Sequence, residues 1–227
     1  MINKETYIVA TINSWNLTNF QNKLGIKNNF YLIKEKKDLT YPRLKKIKPR
    51  YVFFPHWSWI IPEKIWSNFE CIVFHMTDLP YGRGGTPLQN LIIRGHRKTK
   101  ISALKVDKGL DTGDIYYKEN LSLEGNAVKI YKRASKIVFQ KMIPLIVKNK
   151  PIPQKQQGRT EIFKRRTPAE SKIPNNLTVE KMYDFIRMLD APGYPKAFME
   201  TKKLKIDFSQ AQLKNNQLTA KTQIYGK

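Results

Sequence analysis

The chain is short of the residues that build metal centres and covalent staples. Among 227 residues there is one cysteine, Cys71, and three histidines, His56, His75 and His96. One thiol closes no intramolecular disulfide, builds no zinc site and suits a reducing compartment. Its setting, Cys71-Ile72-Val73-Phe74, predicts a buried strand thiol rather than a nucleophile. The histidines lack ligand-like spacing, so no metal is expected. Acidic residues are scarce as well: 18 Asp and Glu against 42 Lys and Arg leave a formal charge of +24. Such a field attracts nucleotide diphosphates, polyglutamylated cofactors and nucleic acid alike, but no run of five basic residues marks a dedicated nucleic-acid arm. Long apolar runs are missing too. The first, Tyr7 to Ile12, is too short for a signal-peptide core or a membrane span, which predicts a cytoplasmic protein without a membrane partner. There is no P-loop, and Gly82-Arg83-Gly84-Gly85 lacks dinucleotide-fingerprint spacing.

What is present is enough for a folded core, since 41% of the residues are hydrophobic and 11% aromatic. Tyr7 to Ile12 is rich in β-branched residues, as in a strand covered on both faces. Leu17, Phe20 and Leu24 follow at helical spacing between a Ser14 cap and a Gly25 stop. Phe30 to Ile33, Tyr51 to Phe54 and Cys71 to Phe74 read as further strands, and Leu39 to Ile47, Pro62 to Phe69 and Thr86 to Arg94 as helices. Lys100 to Val106 alternates polar and apolar, which predicts a strand with one wet face. Ile115 to Leu123 repeats that pattern, and Glu124 to Lys148 predicts one long amphipathic helix. The alternation specifies an α/β fold, a doubly wound, mostly parallel sheet, over residues 1–150. Residues 151–227 read as a small C-terminal extension: an extended linker, a helix from Thr178 to Leu189, and a β-hairpin pairing Lys203 to Phe208 with Leu218 to Ile224.

In doubly wound sheets ligands bind beyond the C-terminal strand ends, where strand order reverses. Asn13, the aromatic loop Trp57 to Ile60, and His75 fall on that edge. A histidine there can act as general acid or base, or as a cation beside a developing oxyanion. By itself a lone histidine is more often structural. Asp111 makes it informative: in Gly109-Leu110-Asp111-Thr112-Gly113-Asp114 the glycines let backbone approach a ligand closely, and a carboxylate within reach would orient the His75 ring.

These two segments, His75 to Pro87 and Gly109 to Asp114, resemble the signature segments of the folate-dependent formyltransferases. His75 matches the family histidine, Leu79-Pro80 its Leu-Pro, Arg83-Gly84 its Arg-Gly, and Asp111 its aspartate. Pro55 to Pro62 stands where the folate-pocket segment lies, and Arg165-Arg166-Thr167-Pro168 with Ala191 to Phe198 resembles segments beyond the core. The resemblance implies that N10-formyltetrahydrofolate is the formyl donor and that a primary amine attacks it through a tetrahedral intermediate, served by His75 and Asp111. It also implies a pterin slot of Trp57, Ser58, Trp59 and Ile60, with Asp107, Gly109 and Leu110 reading the pterin edge. The family asparagine two residues before the histidine is Val73 here, so Asn13 is the candidate for the missing donor. Substrate contacts fall to Asn13, Ser14, Asn16, Arg83, Gly84, Gly85 and Thr86. For the amine, the variant loop resembles bacterial surface-sugar formyltransferases, which implies a nucleotide-linked amino sugar and a homodimer through the extension. Methionyl-tRNA is disfavoured because only a helix and a hairpin are expected after the core, and phosphoribosylglycinamide because of the extra segments. A basic nucleic-acid-binding protein and an inactive relative are the readings from other classes.

Overall fold

The computed structural model describes residues 5–227. The expectation of no leader rests partly on Met1 to Lys4, which lie outside the described residues. Two compact units divide the chain. One holds the described residues through Arg83 with Lys100–Leu121 and Lys132–Ile162, and the other holds Gly84–Thr99, Ser122–Tyr131 and Phe163–Lys227.

The first unit is organised by a sheet. Its strands are β1 (Tyr7–Ala10), β2 (Phe30–Ile33), β3 (Tyr51–Pro55) and β4 (Cys71–His75); the two-residue β5 (Arg83–Gly84) stands apart, and β6 (Lys98–Lys105) and β7 (Ile115–Ser122) complete it. The order is β2-β1-β3-β4-β6-β7. β1 is parallel to β2 and β3, and β3 to β4, whereas β6 runs antiparallel to β4. Strand order therefore reverses between β1 and β3, where ligand sites form in such sheets. β1 is buried along its whole length, with Ile8, Val9 and Ala10 at 0% exposure, because sheet positions covered on both faces admit only apolar side chains.

Helix α1 (Ser14–Lys23) opens at Asn13, not at Ser14 as the sequence predicts, and Asn13 makes no side-chain cap bond. Helices α2 (Tyr41–Ile47) and α3 (Glu63–Trp66) are shorter than their patterns suggest. β6 does not have the wet face expected of it: Ile101, Ser102, Ala103 and Leu104 are each at most 1% exposed. Its position between β4 and β7 covers its edges, and the loop after β4 closes over Ser102, whose Oγ donates to Thr77 O and accepts from Leu79 N. The predicted long helix is realised as α5 (Ala127–Ile137), a π turn over Val138–Met142, and α6 (Ile143–Asn149). Pro144 explains the turn, since it has no N–H to give and its ring crowds the carbonyl four residues back. Among the described residues no helix is long and apolar enough to cross a membrane.

The second unit contains α4 (Pro87–Ile93) and, after the two-residue β8 (Ile162–Phe163), helix α7 (Val179–Leu189), whose N-cap Thr178 accepts from Lys181 N. Its sheet has three strands, β9 (Ala197–Glu200), β10 (Leu204–Lys214) and β11 (Gln217–Gly226), ordered β11-β10-β9 and antiparallel throughout. The hairpin was legible; β9, four residues long and following Gly193 and Pro195, was not. Asn215 and Asn216 turn the hairpin at φ of 47° and 58°, angles that asparagine tolerates best after glycine. Below the sheet Arg187 is 2% exposed. Its Nε donates to Asp184 Oδ1 at 2.6 Å and its Nη1 to the Leu123 and Gly125 carbonyls at 2.6 and 2.8 Å. A buried cation held this way is costly to strand. Asp184→Ala is expected to destabilise this unit by about 3–5 kcal/mol, read from native-state hydrogen exchange at the α7 amides; unchanged protection would contradict the assignment.

Candidate active site

β4 ends at His75, which is 9% exposed, and the chain then folds back sharply through Leu79-Pro80, a cis peptide. This loop is held at several points. His75 Nε2 donates to the Gly82 carbonyl at 2.7 Å, and Thr77 Oγ1 reaches the same oxygen at 3.3 Å. Ser102 Oγ, from β6, donates to Thr77 O at 2.7 Å, which is how a fully buried serine is accommodated in that strand. Lys118 donates to Leu79 O at 2.5 Å and to Asp78 Oδ1 at 2.6 Å, and Lys100 pairs with Asp78 Oδ2 at 3.0 Å. Neither Lys118, Lys100 nor Ser102 stood out in the sequence. The only signal was a lone serine at an inward position of an apolar strand.

Asp111 reaches His75 from the other end of the sheet. Val106 N donates to Cys71 O, four residues before His75, so the loop after β6 must return along about 13 Å of strand. Its shape follows from its composition. Asp107 Oδ1 accepts from Gly109 N at 3.0 Å and Thr112 Oγ1 at 2.6 Å, closing a tight turn. A Cβ at Gly113 would lie 1.8 Å from the Lys105 carbonyl, so only glycine allows the loop to fold back on β6. Asp111 itself has φ of 54°, a left-handed conformation that a non-glycine residue keeps only when its surroundings enforce it. The result is Asp111 Oδ2 at 3.4 Å from His75 Nδ1, with side chains 14% and 9% exposed. Since Nε2 donates to Gly82 O, the neutral ring carries its proton there and turns the Nδ1 lone pair toward Asp111. Protonation at Nδ1 converts the contact into a charge-assisted hydrogen bond.

The segment between Pro151 and Ile162, of which Pro151 to Gly158 reads in sequence as an extended linker, straps this arrangement together. Gln154 exchanges two backbone hydrogen bonds with Ile115, at 2.7 and 2.8 Å. Gln156 Nε2 donates to the carbonyls of Asp111 and Gly113, each at 2.8 Å, and its Oε1 accepts from Arg83 Nε at 3.1 Å and Nη2 at 2.8 Å. Glu161 O accepts from Gly82 N and Arg83 N, both at 3.0 Å.

The other expected residues fare unevenly. Trp57 and Trp59 meet edge to face at 4.7 Å; Ser58 is exposed and Ile60 is 93% exposed. Trp57 Nε1 is buried without a partner, while Leu110 is 70% exposed. Asn13 Nδ2 reaches the His56 carbonyl at 3.4 Å. Asn16 is corrected from a ligand contact to a brace: it is 2% exposed and donates to Thr11 Oγ1 at 2.9 Å and Pro55 O at 3.1 Å, joining the ends of β1 and β3. Ser14 is exposed in the first turn of α1. Arg83 directs its guanidinium to Gln156 rather than outward. Gly84, Gly85 and Thr86 lie in the second unit and serve its chain path: Gly85 N donates to Phe163 O at 3.0 Å, and Thr86 Oγ1 accepts from Arg166 N at 3.1 Å. Val73 pairs with Phe54 and Leu104 inside the sheet and offers no side-chain donor. His56, at φ of 53°, is pushed down to a pKa of about 4 by burial, so it is neutral at ordinary pH. Burial likewise raises the Cys71 thiol, consistent with an inert core residue. Among the described residues no group of three or more His, Cys, Asp or Glu could hold a metal.

Comparison with known proteins gives this geometry a context. The family model described as Formyl transferase matches residues 23–145, and the model described as Methionyl-tRNA formyltransferase, C-terminal domain, matches residues 168–225. A solved structure, the methionyl-tRNA formyltransferase from Clostridium thermocellum, is 50% identical with a TM-score of 0.96, covering 99% of this chain and 100% of that one. The methionyl-tRNA formyltransferase of Rickettsia prowazekii (strain Madrid E) is 34% identical over 143 residues, 60% of this chain and 47% of the relative. The chain thus spans about half the length of the curated relatives it matches. HypX from Aquifex aeolicus, solved in complex with tetrahydrofolic acid, shares the fold at 15% identity and a TM-score of 0.77, over 92% of this chain and 38% of that one.

The Asp78 bracket is testable by pH. Burial alone would raise this carboxyl, but hydrogen bonds from Lys118 and Lys100 outweigh it and hold the pKa below its ordinary value. A depressed carboxylate contributes stability that is complete above its unfolded pKa, about 3.9, and is lost as pH falls through the folded value. Asp78→Asn should therefore lower the thermal midpoint near pH 7 and leave it at the wild-type value at about pH 2. An equal deficit at both pH values would contradict the bracket.

Proposed function

The chain belongs to the formyl transferase family, and on that premise we propose that it moves a formyl group from N10-formyltetrahydrofolate to a primary amine, with His75 and Asp111 as catalytic residues. The observation that carries the reading is the 3.4 Å approach of His75 Nδ1 to Asp111 Oδ2, nearly out of water. Interactions there are stronger than at a wet surface, so a proton shared between the two is held where chemistry can use it. The donor's fit rests on the aromatic loop: the Trp57 and Trp59 rings and the exposed Ile60 side chain offer apolar surface to a planar ring, and Leu110, on the Asp111 loop, is exposed as well. In this reading Trp57, Ser58, Trp59 and Ile60 line the ring, and the backbone of Asp107, Gly109 and Leu110 reads its edge. Residues 1–150 are the catalytic core of the proposal and 151–227 its extension.

When bound, the folate supplies an activated formyl carbon; transfer forms a bond from the acceptor nitrogen to that carbon, breaks the carbon's bond to N10, and moves one amine proton to N10. Asp111 takes the proton that the attacking amine loses and shares it with His75 Nδ1, and the pair gives it up to N10 as the carbon's bond to N10 breaks. While it holds that proton, the ring, fixed by Gly82 O on its other side, stands as a cation beside the oxyanion of the tetrahedral intermediate. Val73 cannot donate to that oxygen. Asn13 is assigned the donor's part because its carboxamide does not cap α1 and its approach to His56 O, at 3.4 Å, is long.

For the acceptor, the comparisons favour methionyl-tRNA over the amino sugar that the sequence suggested. Only a helix and a hairpin are expected from sequence after the core; the match over residues 168–225 falls on that very segment and removes the ground for excluding tRNA. The +24 charge suits a polyanion of that size. A nucleotide-linked amino sugar is the second arm of the test. With labelled N10-formyltetrahydrofolate, the protein is expected to formylate methionyl-tRNA, and His75→Ala to lower kcat by about 10²- to 10⁴-fold. Formylation of amino sugars alone would move the acceptor to the second reading. Formylation of neither, or full activity of His75→Ala, would overturn the proposal.

A further inference from the structure

We propose that Gln156 is the positioning residue of this site, its carboxamide tying the Asp111 loop to Arg83 and so holding the Asp111 carboxylate at His75. The inference rests on the formyl-transfer reading for its catalytic consequence, but on geometry alone for the positioning itself. Gln156 is anchored where it stands: its neighbour Gln154 is paired with Ile115 on both backbone groups, and Glu161 O holds Gly82 N and Arg83 N further along. The segment cannot drift, so the side chain is presented at a fixed place.

The chemistry of that place selects glutamine. Arg83 brings only donors, at 3.1 and 2.8 Å, and they must meet an acceptor oxygen; the Asp111 and Gly113 carbonyls, both at 2.8 Å, are acceptors only and must meet N–H groups. A glutamine satisfies all four contacts with one orientation of its amide. Glutamate would turn an oxygen toward two carbonyls, and lysine would offer nothing to Arg83. One of the two carbonyls belongs to the strained residue itself, for Asp111 holds φ of 54°. A left-handed aspartate persists only where its neighbourhood over-determines it. Gln156 grips the backbone at that residue and two residues beyond it, which fixes the direction in which the Asp111 side chain leaves. Arg83 accordingly acts through Gln156, by way of its Nε and Nη2. Gln156 lies outside both matched family segments, 23–145 and 168–225.

Gln156→Met keeps the side chain's length and removes every hydrogen bond; Gln156→Glu keeps the acceptor for Arg83 and removes the donors. Both are expected to lower kcat for formyl transfer by about 10- to 100-fold, as for misplaced catalytic groups, with KM for the folate donor little changed. The deciding readout needs no turnover. The ring C–H resonance of His75, assigned with His75→Ala and followed by heteronuclear NMR, should take in both variants the position it has in Asp111→Asn. A His75 resonance left at its wild-type position overturns the proposal whatever the rate does. If the resonance moves while wild-type protein formylates no acceptor, the positioning role stands and the functional reading falls. Should Gln156→Met not fold, Gln156→Glu decides in the same way.

Discussion

The carbonyl of Gly82 and the carboxylate of Asp111 face the two nitrogens of one imidazole, and most of the surrounding chain serves to keep them there. The Gly82 side is built locally: Thr77, Ser102, Lys118 and the Asp78 pairs fix a loop only a few residues long. The Asp111 side is built from a distance. Its loop leaves β6 level with Cys71 and must come back to His75, and three positions of the return carry the constraint. Glycine at 113 lets the backbone pass Lys105, the Asp107 turn reverses the chain, and a left-handed Asp111 aims the carboxylate. Such strain is characteristic of positions where placement matters more than local comfort.

The division of the chain also changes the sense of its parts. What looks like a linker, Pro151 to Gly158, belongs with the sheet-bearing unit, as does the chain on to Ile162, and the segment contributes Gln154, Gln156 and Glu161 to the site's support. What looks like a second half of the active loop, Gly84 to Thr86, belongs to the other unit and holds Phe163 to Arg166. The Arg-Gly pair is therefore split in role: Arg83 stabilises the catalytic loop, and Gly84 admits a backbone whose Phe163 carbonyl leaves no room for a Cβ, 2.5 Å away.

The sheet, its mostly parallel order and the pairing of His75 with Asp111 could be read from the sequence, because apolar runs, helical spacing and a paired motif are each local signals. The failures share a cause. Ser102 sits in an alternating segment, and alternation cannot reveal that the loop after β4 covers the polar face. Asn16 looks like a ligand residue at a strand's end, yet Pro55 and Thr11 enclose it through contacts remote in sequence. Gln156 is silent for the same reason: its partners are two carbonyls and a guanidinium from separate segments, and a Pro/Gln-rich stretch carries no periodicity. Long-range satisfaction of buried polar groups decides these positions, and no window of sequence contains it.

If His75 and Asp111 act as one proton-handling unit, removing either should disable the same step. Single-turnover formyl transfer by His75→Ala, Asp111→Asn and the double variant tests this most directly. The account predicts that the double variant is no slower than the worse single one. Losses that multiply would mean that the two residues work independently, and would contradict it.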